Sequence, residues 1–178
     1  MKIKKILPWI FASTMLFNIA CNDDDPIFQE PKEAYENGIL IANEGGFSTP
    51  TATVTFLSSD FTVQEKDIYG KNNNDEKLGN VFQSVGFKGD NAFLVMNVPN
   101  KIEIVNRYNF KKSATTITSN LDNPRYIAFS GNHTYVTNNN FYNVMKINVY
   151  DANNAFVKSI DFDRYAEKVV ASDGFVYV

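Results

Sequence analysis

Tyr135-Val136-Thr137-Asn138 is the stretch that decides the fold, because the chain repeats it. Related versions are Leu40-Ile41-Ala42-Asn43 and Leu94-Val95-Met96-Asn97, and Tyr177-Val178 begin one more. Asn43 and Asn97 lie 54 residues apart, Asn97 and Asn138 lie 41 apart, and Tyr135 and Tyr177 lie 42 apart. A unit of about 42 residues has the length of one four-stranded β-propeller blade.

Turn residues divide each unit into four short segments rich in β-branched and aromatic residues. These segments predict strands at 81–88, 92–97, 102–106 and 113–118 in the second unit, and at 126–129, 134–138, 144–150 and 155–160 in the third. The extra residues of the first interval fall in the polar run 71–77, which predicts a loop insertion. No long apolar stripe of helical period follows Cys21. We therefore expect an all-β propeller fragment of four-stranded blades, about three of them plus the start of a fourth.

The repeats also resemble a known family. Tyr135-Val136-Thr137-Asn138 is the YVTN signature as written, and 123–129, Asn-Pro-Arg-Tyr-Ile-Ala-Phe, is similar to the entry of a YncE-like inner strand. From residue 37 to the end, the chain resembles the YVTN-repeat β-propeller lipoproteins of Bacteroidetes, a domain of unknown function. The resemblance implies a ring of seven blades in which a C-terminal strand completes the first blade. We therefore expect this chain to be truncated and the natural protein to be about twice as long.

Residues 1–20 have the layout of a secretory signal peptide. Lys2, Lys4 and Lys5 precede an apolar run, 6–19, that is too short to span a membrane. Cys21 follows and is the single cysteine of the chain, which excludes an internal disulfide. The stretch 18–21, Asn-Ile-Ala-Cys, resembles a bacterial lipobox, although its asparagine replaces the usual aliphatic residue. The resemblance implies that Cys21 carries lipid and anchors the mature protein in the outer membrane.

The acidic run 22–25 after Cys21 has two interpretations. Charge runs are usually solvated linkers, but this one also resembles the export signal that places Bacteroidetes lipoproteins on the cell exterior. An anchor that faces the periplasm is the alternative. Through residue 37 the chain stays rich in Pro, Glu and Lys, which predicts a tether over 21–37. The partial propeller then occupies 38–178.

The sequence shows little that could support chemistry. The formal charge is −3, so no basic surface is expected to attract nucleic acid. His133 is the single histidine and lies in a turn, which leaves no soft-metal cluster and no base for a serine or cysteine nucleophile. Asp75 and Glu76 follow three asparagines, but their spacing fits no calcium loop. We therefore expect a protein that is not an enzyme and that holds no metal and no cofactor.

Two kinds of loop are expected to share one face of the propeller. In a four-stranded blade, the loop that enters the inner strand and the loop between the second and third strands emerge on the same side. Aromatic rings, amides and guanidinium groups collect in these loops, which suits a polar, partly apolar ligand. The candidate ligand-binding residues are Phe47, Gln83, Asn97, Arg125, Asn138, Phe141, Tyr142 and Arg164. Alternatives stay open, because Asn97 and Asn138 could satisfy turn backbone and Arg125 could pair with a neighbouring blade.

Three functions are compatible with these features. The first is a surface lipoprotein that captures a ligand for an outer-membrane TonB-dependent transporter. Similar Bacteroidetes propellers include a cobalamin-capturing group, so the resemblance makes a corrinoid one expected ligand. The second is a cell-envelope scaffold that binds protein or glycan. The third is a quinoprotein-like enzyme with its catalytic half outside this chain, since similar propellers occur in amine dehydrogenases.

Overall fold

The computed structural model describes residues 33–178. The predicted signal peptide, the predicted lipidation site Cys21 and the first part of the predicted tether lie outside the described residues. From residue 33 onward, no helix has both the length and the apolar character needed to cross a membrane.

Antiparallel strands dominate the described chain, as the repeat predicts. The elements are β1 (Gly38–Asn43), β2 (Thr53–Ser58), β3 (Gln64–Glu65), the helix α1 (Ile68–Asn72), β4 (Val81–Lys88), β5 (Asn91–Val98), β6 (Lys101–Asn106), β7 (Pro124–Ser130), β8 (His133–Asn139), β9 (Met145–Tyr150), β10 (Phe156–Asp161), β11 (Val170–Ser172) and β12 (Phe175–Tyr177). Consecutive strands pair in the sheets β1-β2-β3, β4-β5-β6, β7-β8-β9-β10 and β11-β12. The prediction of an all-β partial propeller is confirmed.

The outer edge of the second blade differs from the prediction. No regular strand forms over 113–118, because this segment meets β6 only at two isolated bridges, Ile102 with Ile117 and Val105 with Lys112. From one bridge to the other, β6 runs three residues, from 102 to 105, whereas the outer segment runs five, from 112 to 117. The surplus residues interrupt the ladder, since a regular antiparallel pair advances equally on both strands.

The predicted loop insertion is partly helical. The helix α1 begins after Asp67, whose carboxylate accepts a hydrogen bond from the Gly70 backbone N–H at 3.1 Å. Ile68 and Tyr69 are fully buried in the first apolar cluster. Only the polar residues after α1 behave as the predicted loop. A five-residue helix is too short to show a period in the sequence, and its place is set by the core that it completes.

Two apolar clusters join neighbouring blades, and β5 contributes to both. Side chains alternate between the faces of a strand, so Leu94 packs in the cluster shared with the first blade and Phe93 in the cluster shared with the third. Phe82 is buried in the first cluster. Phe129 packs against the second, with its ring 4.9 Å from the Phe93 ring. The prediction that Phe82 and Phe129 fill the space between blades is confirmed.

The chain enters the domain through Tyr35, which belongs to the predicted tether. Its side chain is buried, and its ring lies 5.2 Å from the Phe56 ring and 5.9 Å from the Phe110 ring. Its hydroxyl donates to Glu65 Oε1 at 3.0 Å and accepts from Asn72 Nδ2 at 3.1 Å. The residues just before β1 are therefore packed against the first two blades.

Glu103 is a buried carboxylate in β6. It accepts hydrogen bonds from Lys101 Nζ at 2.6 Å and Thr116 Oγ1 at 2.7 Å, and Lys112 Nζ lies 3.5 Å away. Burial raises the pKa of Glu103, but these donors and positive charges outweigh burial and hold the pKa below its ordinary value of 4.5. The contact with Thr116 also ties the irregular outer segment to the blade.

The lowered pKa of Glu103 predicts an acid dependence of stability. A group with a lower pKa in the folded state stabilises the fold above its unfolded pKa, and this stability is lost as the pH falls through the folded pKa. We expect Glu103→Gln to reduce the free energy of unfolding at neutral pH by about 1–2 kcal/mol. The loss should shrink below pH 4.5. Urea unfolding across this range measures it, and an equal loss at every pH contradicts the prediction.

Gly45 marks a close approach of backbone segments after β1. Its φ is +84°, and a Cβ there would lie 2.4 Å from both the Ala52 nitrogen and the Asn80 oxygen. We expect Gly45→Ala to reduce the free energy of unfolding by about 3 kcal/mol, because both the backbone conformation and the space are unfavourable. Gly89→Ala is the control, since its φ is +56° but open space surrounds it. Equal losses in the two variants, measured by urea unfolding, would contradict this reasoning.

Candidate binding site

Three residues at equivalent positions of successive units meet on the loop face. Gln83, Arg125 and Glu167 are spaced by 42 residues each. Gln83 and Arg125 lie where the register of β4 and β7 shifts, so each interrupts its strand ladder. Such bulges turn a side chain away from the regular pleat. The repeat thus brings one amide, one guanidinium and one carboxylate together from three blades.

Arg125 holds this group together. Its Nε and Nη2 donate to Glu167 Oε1 at 3.0 and 2.6 Å, and its Nη1 donates to Gln83 Oε1 at 2.6 Å. Asn139 Nδ2 donates to the other carboxylate oxygen of Glu167 at 3.1 Å. The side chains of Arg125 and Glu167 are 17% and 32% exposed. We call Gln83, Arg125, Asn139 and Glu167 the arginine clamp.

The loop between β8 and β9 is held in one shape by two asparagines. Asn139 Oδ1 accepts from the Phe141 backbone N–H at 2.8 Å. Asn140 Oδ1 accepts from the backbone N–H groups of Tyr142, Asn143 and Val144 at 2.9 to 3.0 Å. Phe141 itself has a φ of +60°, a conformation that a bulky residue adopts only under such constraint. The backbone of this loop is therefore preorganised.

The clamp supports a group of exposed aromatic rings. The Arg125 guanidinium lies 5.1 Å from the centre of the Phe141 ring, and this ring lies 5.6 Å from the Tyr165 ring at 70°. Phe141, Tyr165 and Tyr142 are 52%, 62% and 85% exposed. Beside them is a cleft of about 490 Å³, which we call the aromatic cleft. It is lined by Tyr142, Met145, Asp163, Arg164 and Tyr165.

The structure places five of the eight predicted ligand-binding residues at the arginine clamp or the aromatic cleft. Gln83, Arg125 and Phe141 meet at the arginine clamp, and Tyr142 and Arg164 line the aromatic cleft.

The asparagines of the repeated motif bond to backbone, which was the alternative left open. Asn138 is buried, accepts from the Asp122 backbone N–H and donates to the Val136 carbonyl, while Asn97 donates to the Pro124 carbonyl. Phe47 is exposed, and its carbonyl accepts from Asn80 Nδ2. The geometry also supports the second alternative for Arg125, since it pairs across blades. Ligand contact by any of these residues stays a prediction.

Sequence reasoning missed five residues of the site: Asn139, Met145, Asp163, Tyr165 and Glu167. The signal for Glu167 was present, because it follows Arg125 by one repeat length and carries the opposite charge. Nothing in the sequence marks Asn139 or Tyr165, since their roles depend on how the loop of one blade folds over the next.

The groups on this face can bind a ligand. Arg125 and Glu167 satisfy each other and set the shape of the site. The side chains of Asp163 and Arg164 have no hydrogen-bond or ion-pair partner among residues 33–178, so they are available to a ligand. Within the same residues, no group of three or more histidine, cysteine, aspartate or glutamate side chains could hold a metal ion.

The family of the chain follows from its propeller region. The family model DUF5074, described as a domain of unknown function, matches residues 37–178. The chain belongs to the DUF5074 family. The match begins just before β1 and includes every strand of the DUF5074 domain described above. A closer placement of this DUF5074 protein among YncE-like relatives stays a prediction.

Solved structures similar to the DUF5074 chain include AztD from Citrobacter koseri. One AztD crystal structure has 15% identity and a TM-score of 0.48, with 66% of this chain and 31% of AztD covered. An apo AztD structure has 13% identity and a TM-score of 0.49, with 81% and 40% covered, so the chain spans well under half of AztD. The computationally designed Ika4 protein has 13% identity and a TM-score of 0.46, with 84% and 92% covered. No curated protein matches the sequence.

Proposed function

We propose that this domain is a binding module that performs no chemistry and that takes a small ligand on its loop face. The observation that supports it is the aromatic cleft, where exposed Tyr142 lies on a loop fixed by Asn139 and Asn140 and Tyr165 is hydrogen-bonded to that loop. Exposed aromatic rings offer apolar area that a ligand can bury, and a rigid loop loses little conformational entropy on binding. Two partner-free charged groups beside the rings can orient a ligand.

A ligand screen by thermal shift tests this proposal. A ligand that binds only the folded state raises the melting temperature with its concentration. We expect at least one small ligand to stabilise the complete mature protein carrying Cys21→Ser, and Tyr142→Ala to remove most of the shift. Phe61→Ala is the matched control, because it removes an exposed ring from the turn between β2 and β3. Ligand shifts that are the same in both variants would place binding elsewhere.

The finer proposal is that the module captures its ligand for a TonB-dependent transporter of the outer membrane. It combines three predictions from the sequence. These are the lipid anchor at Cys21, an orientation towards the cell exterior and the resemblance to the YVTN-repeat propeller lipoproteins of Bacteroidetes. A corrinoid is the first ligand to test, and a ligand of that size would need more of the loop face than the aromatic cleft. Co-purification of a TonB-dependent transporter with the lipidated protein would support this proposal. If no such transporter co-purifies and corrinoids do not change the stability of the protein, the transporter proposal is wrong.

A cell-envelope scaffold is the second candidate. It is favoured by Phe47, an exposed ring on a loop of the first blade that the clamp does not include. A scaffold would bind a protein partner across several loops. Partner capture that is lost with Phe47→Ala and retained with Tyr142→Ala would favour this candidate over a small-ligand module.

A further inference from the structure

The aromatic cleft and the arginine clamp together carry no net formal charge. Arg125 is neutralised by Glu167, and Asp163 stands next to Arg164. A charged ligand would be attracted by one exposed charge of the cleft and repelled by the other. A neutral ligand can use both groups. The charge pattern therefore favours a neutral ligand.

The two charged groups of the cleft have complementary hydrogen-bonding capacity. The Asp163 carboxylate only accepts and the Arg164 guanidinium only donates. Neither has a side-chain partner within the described part of the chain. A hydroxyl group both donates and accepts, so adjacent hydroxyls on one molecule can satisfy a carboxylate and a guanidinium together. Such a pair of unlike groups suits a polyhydroxylated ligand.

The tyrosine rings supply the apolar part of the cleft. Tyr142 and Tyr165 are largely exposed, while Met145, which also lines the cleft, is half-buried. The Tyr165 hydroxyl donates to the Phe141 carbonyl at 3.3 Å, which ties its ring to the rigid loop. A sugar ring has a C–H face and a rim of hydroxyls, so it can pack on an aromatic ring while its hydroxyls reach neighbouring polar groups.

The size of the cleft sets the scale of the ligand. Its volume of about 490 Å³ lies within the range of small-molecule sites, roughly 300–1,000 Å³. This space suits one or two sugar rings and is small for a corrin macrocycle with its nucleotide loop. We propose that the aromatic cleft binds a neutral carbohydrate, with Tyr165 as the stacking ring and Asp163 and Arg164 as the hydroxyl partners. This inference rests on the proposed binding function.

Calorimetric titration of the complete mature protein carrying Cys21→Ser tests the proposal. The probes are maltohexaose, cellohexaose, mannohexaose and chitohexaose, with cobalamin titrated in parallel. We expect saturable binding of at least one hexasaccharide. Tyr165→Ala should weaken it about tenfold or more, because the stacking ring is lost. Asp163→Asn, which keeps the shape and removes the charge, should weaken it several-fold.

Two control variants separate the cleft from the rest of the protein. Tyr165→Phe keeps the ring and should bind within about threefold of the parent, because only the bond to the Phe141 carbonyl is lost. Phe61→Ala should leave binding unchanged, since its exposed ring lies in the turn between β2 and β3. Circular dichroism of each variant verifies that the fold is intact before titration.

The outcomes distinguish this proposal from the broader one. Hexasaccharide binding that Tyr165→Ala and Asp163→Asn leave unchanged overturns it, because the sugar then binds elsewhere. Binding of cobalamin without binding of any hexasaccharide overturns the carbohydrate proposal and leaves the binding module standing. A folded protein that binds none of these probes and that no compound of the wider screen stabilises overturns both proposals.

Discussion

Replacing Tyr35 by alanine is expected to reduce the free energy of unfolding by about 3 kcal/mol, because a buried aromatic side chain is lost from a packed cluster. The ring contacts Phe56 of the first blade and Phe110 of the second, so its removal leaves a cavity between them. Urea unfolding of the variant and the parent measures the difference. A loss below about 0.5 kcal/mol, the usual range for surface positions, would contradict the packing seen here.

Tyr35→Phe separates the ring from its hydroxyl. Burial raises the pKa of the Tyr35 phenol, so the hydroxyl stays protonated at neutral pH and donates to Glu65. Its removal should cost about 1 kcal/mol, the usual net value of a hydrogen bond. If Tyr35→Phe were as damaging as Tyr35→Ala, the polar contacts rather than the packing would hold this segment.

The second large effect is expected from Arg125→Ala. Removing the guanidinium leaves the partly buried Glu167 carboxylate with Asn139 as its remaining side-chain partner and takes the cation away from the Phe141 ring. Breaking a buried pair from one side costs about 3–5 kcal/mol. Because Glu167 is one-third exposed, solvent offsets part of this loss, and we expect about 2 kcal/mol. Arg164→Ala, at an exposed position, should change stability by less than about 0.5 kcal/mol.

A double-mutant cycle tests whether the clamp acts as a pair. Arg125→Ala combined with Glu167→Ala should be less damaging than the sum of the single losses, because the second substitution removes the unpaired charge. A coupling energy of about 1–2 kcal/mol is expected from urea unfolding of the four proteins. Arg125→Lys should not restore full stability, since a lysine cannot reproduce the forked bond to a carboxylate. Additive losses would show that Arg125 and Glu167 do not stabilise each other.

The strand pattern was largely predictable because it depends on local chemistry. Turn residues and alternating apolar residues place β4 at 81–88 as predicted and most other strands within one or two residues. The prediction was wrong at 113–118, where an uneven number of residues faces β6. It was incomplete at α1, which forms because Ile68 and Tyr69 fill the core.

The candidate site was predictable only in part. Gln83, Arg125 and Phe141 were expected on one face, and the repeat length explains why Gln83 and Arg125 meet. Glu167 carried a sequence signal, because it follows Arg125 by one repeat length, whereas Tyr165 becomes visible only when the loops of adjacent blades are seen together. Asn138 was counted as a candidate because it ends the repeated motif, and its burial shows that the motif serves the fold.

The sequence by itself determined the repeat, the strands and the register of equivalent positions, because a fixed period and turn chemistry act over a few residues. It also determined which residue types reach the loop face. Only the tertiary structure decided which of them touch. The arginine clamp depends on contacts between residues one repeat apart in the chain, such as Arg125 with Glu167, and the aromatic cleft depends on two different loops that lie side by side. Such contacts follow from the packing of whole blades, which no local pattern records.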